Sequence, residues 1–240
     1  MQKFKSGLVL LATLILVACG GNNDVPGKPN FTAMVSFGDS LSDVGSYDVG
    51  IVNAYGGGQF TINAASTVKA TTPTNWTEFA SLSLNLGMPC AAQTGLDDGS
   101  GTPSLTYVMP PVDHAGCTGY AQGGSRVTSQ PGIGNYLLGG GGFALTVPVA
   151  TQIQNFLTAH GGSFSGNEIV TMMAGANDVF FQAGLVGGGL PAASAVAAVQ
   201  TAATELANDV KTQIVANGAR YVVVANIPDI SVTPYGVSLG

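Results

Sequence analysis

The sequence predicts an α/β fold in which helices cover a parallel β-sheet. Three short apolar runs have the length and composition of buried strands, and they cover residues 34–37, 169–173 and 221–225. Between the second and third runs, and before the second, apolar residues recur every three or four positions, as in helices that begin at Pro148 and near Pro191. Strands that alternate with helices along the chain are typical of a parallel sheet.

The composition of the 240-residue chain limits the class of protein. The length fits one α/β domain or a large part of one. Hydrophobic residues make up 45% of the chain and charged residues 8%, and the 35 glycines predict many turns without a collagen-like period. The net charge of −6 argues against a nucleic-acid partner, because proteins that bind nucleic acid carry a basic patch.

Residues 1–18 are predicted to be a signal peptide and not part of the fold. Lys3 and Lys5 precede an apolar segment, residues 8–17, which is too short to span a bilayer as a helix. The segment ends in Leu-Val-Ala-Cys at residues 16–19, a string that resembles a bacterial lipobox.

The lipobox resemblance implies that Cys19 is the lipid-modified first residue of the mature protein. Residues 19–31 would then be the lipidated N-terminus and a polar tether, and residues 32–240 the folded domain. Gly20 is not the Asp associated with inner-membrane retention, so the resemblance points to the outer membrane, with lipid chains that hold the protein there without crossing it. An ordinary cleaved signal peptide with an incidental cysteine is the alternative.

The chain between the first strand and Pro148 has a weaker pattern. Residues 46–74 are rich in Gly, Ser, Thr and Asn and predict a long loop or hairpin, whereas residues 75–86 predict a helix that Gly87 ends. The expected apolar face of this helix consists of Trp76, Phe79, Ala80 and Leu84. We therefore expect Trp76 in the core and not in a substrate site.

Residues 88–118 predict an irregular insertion that contains Cys90 and Cys117. An exported protein can form disulfides, and a bridge between these two cysteines would stabilise the fold by roughly 3–4 kcal/mol in the chain-entropy model. Two separate buried thiols are the alternative.

The second half of the chain is more regular. The glycine run at residues 139–142 predicts a flexible turn, because it lacks the Lys-Ser/Thr end of a phosphate loop. The helix that begins at Pro148 has an apolar face of Val149, Ile153, Phe156 and Leu157. The helix that begins near Pro191 is expected to stop at residues 217–218, Asn-Gly. The strand at 221–225 is apolar throughout, as expected for a strand that is covered on both faces.

Three polar segments follow predicted strands or lie between them. Residues 37–45 read Phe-Gly-Asp-Ser-Leu-Ser-Asp-Val-Gly, residues 119–126 read Gly-Tyr-Ala-Gln-Gly-Gly-Ser-Arg, and residues 175–178 read Gly-Ala-Asn-Asp. Ligands of open α/β sheets bind at the carboxyl ends of the strands, so Ser40 lies where a nucleophile is expected. A serine that caps a short helix is the alternative.

In this order, the three segments resemble the sequence blocks of the GDSL, or SGNH, family of ester hydrolases. The likeness extends from about residue 34 to residue 235, and Ile-Pro-Asp at 227–229 with Thr-Pro at 233–234 looks like the outer-membrane esterase, phospholipase and haemolysin branch. The resemblance implies a three-layer, flavodoxin-like fold with a parallel sheet. It also implies hydrolysis of a small-molecule or lipid ester without a cofactor.

The resemblance assigns roles to individual residues. Ser40 would be the nucleophile, with Asp39 in support. The backbone N–H groups of Ser40 and Gly124 would bind the oxyanion, with Gly123 as the alternative to Gly124, because a glycine lets its N–H approach the substrate closely.

By the same resemblance, the side-chain amide of Asn177 would be the third oxyanion donor, with Asp178 in support. An amide suits this task because it donates a hydrogen bond without needing a counter-charge. An Asx turn, which Asn-Asp often forms after a strand, is the alternative.

The family's last block, Asp-x-x-His, has no match in residues 1–240. His160 is expected at the amino end of the second strand, roughly 15–25 Å from Ser40. His114 has no Asp three residues before it, and Asp113 beside it is not a substitute. We therefore expect the general base and its Asp to be missing, as in a fragment, a partial sequence or a degenerate copy, so that the fold is incomplete at its C-terminus.

Three functions remain open from the sequence. The first is a lipid-anchored carboxylic-ester hydrolase, the second a deacetylase of envelope or plant polysaccharide, and the third a non-catalytic envelope lipoprotein that uses the scaffold for binding. No metal site is expected, because the Cys and His spacings fit no zinc pattern.

Overall fold

The computed structural model describes residues 29–54, 74–97, 99, 109–139 and 142–238. The predicted signal peptide, the proposed lipidation site Cys19 and most of the tether lie outside these residues. Residues 55–73 of the predicted loop and residues 140–141 of the glycine turn also lie outside them. The compact unit that holds the elements below begins at Phe31.

The described residues form five strands and six α-helices. Strands β1 to β5 span Met34–Gly38, Gln93–Leu96, Met109–Asp113, Ile169–Met173 and Tyr221–Val224. Helices α1 to α6 span Gly50–Ala54, Trp76–Ser83, Val149–Ala159, Ala176–Gly187, Ala192–Asp209 and Pro234–Ser238. Short 3₁₀ turns lie at Tyr136–Leu138 and Ile230–Val232, and a π-helical turn, Val210–Val215, continues α5.

The main sheet is parallel, with the order β1-β4-β5. Its register pairs Met34 with Ile169, and Ile169 in turn with Tyr221. On the other side of β1, Gly119 forms parallel bridges to both Ser36 and Ala91. The prediction of an α/β fold with a parallel sheet is confirmed, and the segments that follow β1 and β4 leave the sheet at the same edge.

The core lies where α3 packs on the sheet. The four residues of the predicted apolar face, Val149, Ile153, Phe156 and Leu157, are all buried and belong to one cluster with alternate residues of β1 and β4. Phe37 of β1 packs edge-on against Phe156, with ring centroids 6.0 Å apart. Burial of a side chain of this size stabilises the fold by about 1.5–3 kcal/mol, so the core fixes α3 against the sheet.

The prediction that the third strand is covered on both faces is wrong. In β5, Tyr221, Val223 and Val224 are exposed, and among the described residues β5 pairs only with β4. The strand therefore lies at an edge of the sheet. An apolar composition reports the preference of a strand for burial, but the position in the sheet depends on which other strands pair with it.

The prediction of which face of α2 is buried is also wrong. Phe79 is exposed, Trp76 is half-buried, and the buried residues of the helix are Thr77, Glu78 and Ser81. The reason is a polar N-terminus: Asn75 caps the helix, and the Glu78 side chain accepts a hydrogen bond from the Asn75 backbone in a capping box. These bonds hold the polar face inward.

The insertion at residues 88–118 is more regular than expected, because β2 and β3 form an antiparallel hairpin within it. Cys90 and Cys117 form a disulfide, with their Cα atoms 5.1 Å apart. The bridge lies beside the backbone hydrogen bond from Gly119 to Cys90. The disulfide therefore fastens the hairpin to the side of the sheet next to β1.

Candidate active site

Ser40 lies in the turn that directly follows β1. The preceding Gly38 has a φ of 146°, and a Cβ there would lie 2.2 Å from the Met173 carbonyl oxygen, so only glycine permits this close approach to β4. The Asp39 N–H donates to the same carbonyl at 3.2 Å. Ser40 itself is half-buried, and its Oγ has no hydrogen-bond partner among the described residues. The hydroxyl is therefore free to meet a ligand.

Asp39 is buried beside Ser40 and is only partly satisfied. Its Oδ1 accepts a hydrogen bond from Leu41 N–H at 3.1 Å, whereas its Oδ2 has no partner among the described residues. The net effect raises the pKa of Asp39 to about 6: burial is the largest cause and the nearby Asp178 carboxylate adds to it, whereas the Leu41 N–H opposes the shift.

Asp43 is a residue of the site to which the sequence assigned no role. Its carboxylate is fully buried and accepts hydrogen bonds from the N–H groups of Gly45 at 2.9 Å, Ser46 at 2.8 Å and Gly123 at 2.7 Å. Burial raises the pKa of Asp43 to about 6 in spite of these bonds. Its one signal in the sequence is the pattern Asp-x-Gly at 43–45, which favours an Asx turn.

The hydrogen bond to Asp43 bears on the choice between Gly123 and Gly124. The N–H of Gly123 already donates to the Asp43 carboxylate, so it is not available to an oxyanion. The N–H of Gly124 has no acceptor among the described residues. Gly124 has a φ of 81°, and a Cβ there would lie 2.0 Å from the Ile133 carbonyl oxygen, so the loop requires glycine at this position.

Gln152 of α3 joins the loop that carries Ser40 to the loop that carries Gly124. Its Oε1 accepts from Gly38 N–H at 2.9 Å, and its Nε2 donates to the Gly38 carbonyl at 2.9 Å and to the Ser125 hydroxyl at 3.2 Å. No sequence signal marks Gln152, because a single glutamine on a helix forms no recognisable local pattern. Its role depends on partners that are distant in the sequence.

Asn177 lies in the first turn of α4, directly after β4. Gly175 caps this helix with a left-handed φ of 109°. The Asn177 amide donates to the Ser125 carbonyl at 2.9 Å, which leaves its second N–H for another acceptor. No hydrogen bond of an Asx turn forms at Asn177 among the described residues. The amide is thus held beside the loop that contains Gly124.

Asp178 anchors the same turn through Arg126. The Arg126 Nε lies 3.1 Å from one carboxylate oxygen of Asp178, and the Val127 N–H donates to the other at 3.0 Å. The guanidinium also lies 4.1 Å from the centre of the Phe181 ring. Burial raises the pKa of Asp178, while its bonds to Val127 and Arg126 lower it. This pair fixes the start of α4 against the segment that follows Gly124.

Among the described residues, neither histidine side chain hydrogen-bonds a residue of this site. The Nε2 of His114 lies 2.8 Å from Thr94 Oγ1 on the exposed β2–β3 hairpin. His160 caps the far end of α3, where its ring stacks on Phe156, about 12 Å further along the helix axis than Gln152. The expectation that neither residue is the general base stays a prediction.

No family model matches the chain, and no curated protein matches it either. Within the described ranges, no group of three or more His, Cys, Asp and Glu side chains could hold a metal ion. Over the same part of the chain, no helix has the length and hydropathy that crossing a bilayer requires.

Proposed function

We propose that this chain is a serine-dependent ester hydrolase of the SGNH type, with Ser40 as the nucleophile. The observation that carries the proposal is the hydrogen bond from the Asn177 amide to the Ser125 carbonyl. This bond holds the start of α4 beside the loop that contains Gly124. Ser40 follows β1 at the same edge of the sheet. A hydroxyl, a free backbone N–H and a carboxamide are three of the groups that acyl transfer needs.

The oxyanion donors in this proposal are the N–H groups of Ser40 and Gly124 and the amide of Asn177. Each preorganised donor contributes roughly 3–4 kcal/mol to transition-state stabilisation. The N-terminus of α4 adds a positive partial charge at the same place, which favours a developing negative charge. Burial of Asn177 among fixed hydrogen bonds keeps these donors from reorganising during the reaction.

The finer assignments belong to the same proposal. The three-layer, flavodoxin-like arrangement, the lipid anchor at Cys19 and the outer-membrane location are inferred from the sequence resemblance. The proposal assigns the role of general base to neither histidine, because among the described residues neither side chain hydrogen-bonds Ser40. The chain alone would then keep the nucleophile and the oxyanion donors without the group that activates the hydroxyl.

A fluorophosphonate probe tests the proposal, because it labels serines that act as nucleophiles. We expect labelling at Ser40, with imidazole added as an external base, and loss of labelling in Ser40→Ala. The matched control is Ser83→Ala, an exposed serine on α2, which should label like the parent chain. Absence of labelling in a well-folded chain with imidazole would overturn the proposal and favour the non-catalytic binding protein.

A further inference from the structure

Ser40 lies in a tight turn that one backbone hydrogen bond closes. The Ser42 N–H donates to the Asp39 carbonyl at 3.0 Å, so the two residues between them form the tip of the turn. Asp39 is tied to the sheet through its N–H, which donates to the Met173 carbonyl at 3.2 Å. The position of the Ser40 hydroxyl therefore also depends on what holds the other end of the turn, Ser42, which is fully buried.

The N-terminus of α2 holds that other end. The indole N–H of Trp76 donates to the Ser42 hydroxyl at 3.1 Å, and the Thr77 hydroxyl donates to the Ser42 carbonyl at 3.4 Å. The side-chain amide of Asn75 donates to the next carbonyl, that of Asp43, at 2.7 Å. Three consecutive residues at the start of α2 thus bind two consecutive residues of the segment that contains the turn.

Trp76 differs from its two neighbours because its polar group serves only the turn. The side-chain oxygen of Asn75 also accepts hydrogen bonds from the Glu78 N–H at 3.0 Å and from the Thr77 hydroxyl at 2.7 Å, so both neighbours help to cap the helix. An indole N–H can only donate, and that of Trp76 donates to Ser42. The hydrogen bond from Trp76 can therefore be removed without removal of the cap.

We propose that Trp76 is a positioning residue of the candidate active site, whose indole N–H holds Ser42 and thereby fixes the turn that presents the Ser40 hydroxyl. This inference rests on the proposed function, because it concerns the reactivity of Ser40. A nucleophile reacts faster when its turn is held in one geometry, because little conformational freedom is then lost on the way to attack. Loss of one neutral hydrogen bond should slow the reaction of Ser40 by roughly two- to tenfold.

The rate of fluorophosphonate labelling with excess imidazole measures this effect. Trp76→Phe removes the donor and Ser42→Ala removes the acceptor, so each should slow the labelling of Ser40 by roughly two- to tenfold. The double variant should be no slower than the slower single variant, because both changes remove the same hydrogen bond. Labelling of Trp76→Phe at the parent rate, or effects that multiply in the double variant, would overturn the inference.

A nearly isosteric replacement separates the hydrogen bond from the packing of the ring. Trp76 is the single tryptophan of the chain, so benzothienylalanine supplied in place of tryptophan enters this position alone. It puts sulfur in place of the indole N–H and keeps the shape of the ring, and it should slow labelling as Trp76→Phe does. If circular dichroism shows that Trp76→Phe does not fold, the chain with benzothienylalanine decides the outcome.

The matched control lies at the other end of the same helix. The Ser81 hydroxyl donates to the Gly87 carbonyl at 2.7 Å, so Ser81→Ala also removes one hydrogen bond from α2. Urea denaturation should show a loss of stability in this variant, but labelling of Ser40 should keep the parent rate. Labelling that slows as much in Ser81→Ala as in Trp76→Phe would show that the general stability of α2 is responsible, and would overturn the inference.

Amide hydrogen exchange reports on the turn without any reaction. Exchange of the Ser42 N–H should become faster in the chain with benzothienylalanine, whereas that of the Ser125 N–H, which donates to the Gln122 carbonyl at 3.2 Å, should not change. If the parent chain is not labelled at Ser40 but this exchange becomes faster, Trp76 holds the turn and the hydrolase proposal alone fails. If the parent chain is labelled but the Ser42 exchange does not change, the positioning role fails and the hydrolase proposal stands.

Discussion

Asp43 and Gly123, 80 residues apart in the sequence, are joined by a 2.7 Å hydrogen bond from the Gly123 backbone N–H to the Asp43 carboxylate. The bond ties the loop that carries Ser40 to the loop that carries Gly124. It also orients the 123–124 segment so that the next N–H along the chain has no acceptor among the described residues. The relative position of the proposed nucleophile and its oxyanion donor thus depends on this buried carboxylate as well as on Gln152.

Asp43→Asn should weaken both the fold and the site. The carboxylate of Asp43 accepts hydrogen bonds from three backbone N–H groups, and the side-chain amide of asparagine would direct its own N–H groups at one or more of them. The loss of a hydrogen bond to a charged group lowers the free energy of unfolding by about 1.5–3 kcal/mol. We expect urea denaturation to show a loss of about this size and Ser40 labelling to slow. Asp113→Asn, on the exposed strand β3, should change neither. Unchanged stability in Asp43→Asn would contradict the role given to this carboxylate.

Asp39→Asn should change the pH dependence of stability. Because burial raises the pKa of Asp39 from 3.8 to about 6, the folded chain binds a proton between these values that the unfolded chain does not bind. The contribution of Asp39 to stability is therefore complete below pH 3.8 and is lost as the pH rises through about 6.

The measurement is urea denaturation of the parent chain and Asp39→Asn at acidic and at neutral pH. Because the variant lacks the buried charge, its free energy of unfolding relative to that of the parent should be higher at neutral pH than at acidic pH, by up to about 3 kcal/mol. Asp43, whose pKa is also raised to about 6, remains in the variant, so part of the pH dependence should persist. An identical pH dependence of the free energy of unfolding in the two chains would show that folding does not raise the pKa of Asp39.

Asn177→Ala should slow the reaction of Ser40 while it leaves the fold intact. Removal of one oxyanion donor typically lowers the rate by about 10²–10³-fold. The rate of fluorophosphonate labelling in the presence of imidazole measures this effect. Asn167→Ala, at an exposed asparagine before β4, is the control and should keep the parent rate. An Asn177→Ala chain that reacts as fast as the parent would remove Asn177 from the proposed oxyanion site.

The chain alone should hydrolyse p-nitrophenyl esters poorly, because among the described residues neither histidine side chain hydrogen-bonds Ser40. Added imidazole should raise the rate of the parent chain above that of Ser40→Ala, which corrects for direct hydrolysis by imidazole. His114→Ala should behave as the parent in both conditions. Rapid turnover without imidazole that His114→Ala abolishes would identify His114 as the base and refute this prediction.

The exposed strand β5 should promote self-association. Val223 is 45% exposed on an edge strand that carries no charged residue, and such edges pair with other chains. Val223→Lys should therefore reduce the apparent mass that light scattering measures at high concentration. Val215→Lys, an exposed valine outside the sheet, serves as the control. If both variants associate as the parent does, the association does not involve β5.

The sequence alone determined the three strands of the main sheet and the helices that begin after Pro148 and Pro191. The spacing of apolar residues and the residues that begin and end helices are patterns among residues a few positions apart, so they are visible without knowledge of the fold. The same local patterns failed for α2, where Phe79 is exposed, and for β5, which lies at an edge. In both elements the side that becomes buried depends on which distant segment packs against it.

In the candidate site, too, some residues were predicted from local sequence patterns and others became visible only in the tertiary structure. Ser40, Gly124 and Asn177 were singled out from short strings in the sequence, whereas the roles of Asp43 and Gln152 became visible only in the tertiary structure. Gln152 hydrogen-bonds Gly38 across 114 positions of the chain, and no local pattern encodes such a pair. Only the tertiary structure decided that the Gly123 N–H donates to Asp43 and is therefore not available to an oxyanion. Backbone N–H groups are the same at every non-proline residue, and they differ only in the acceptor that the fold places beside them.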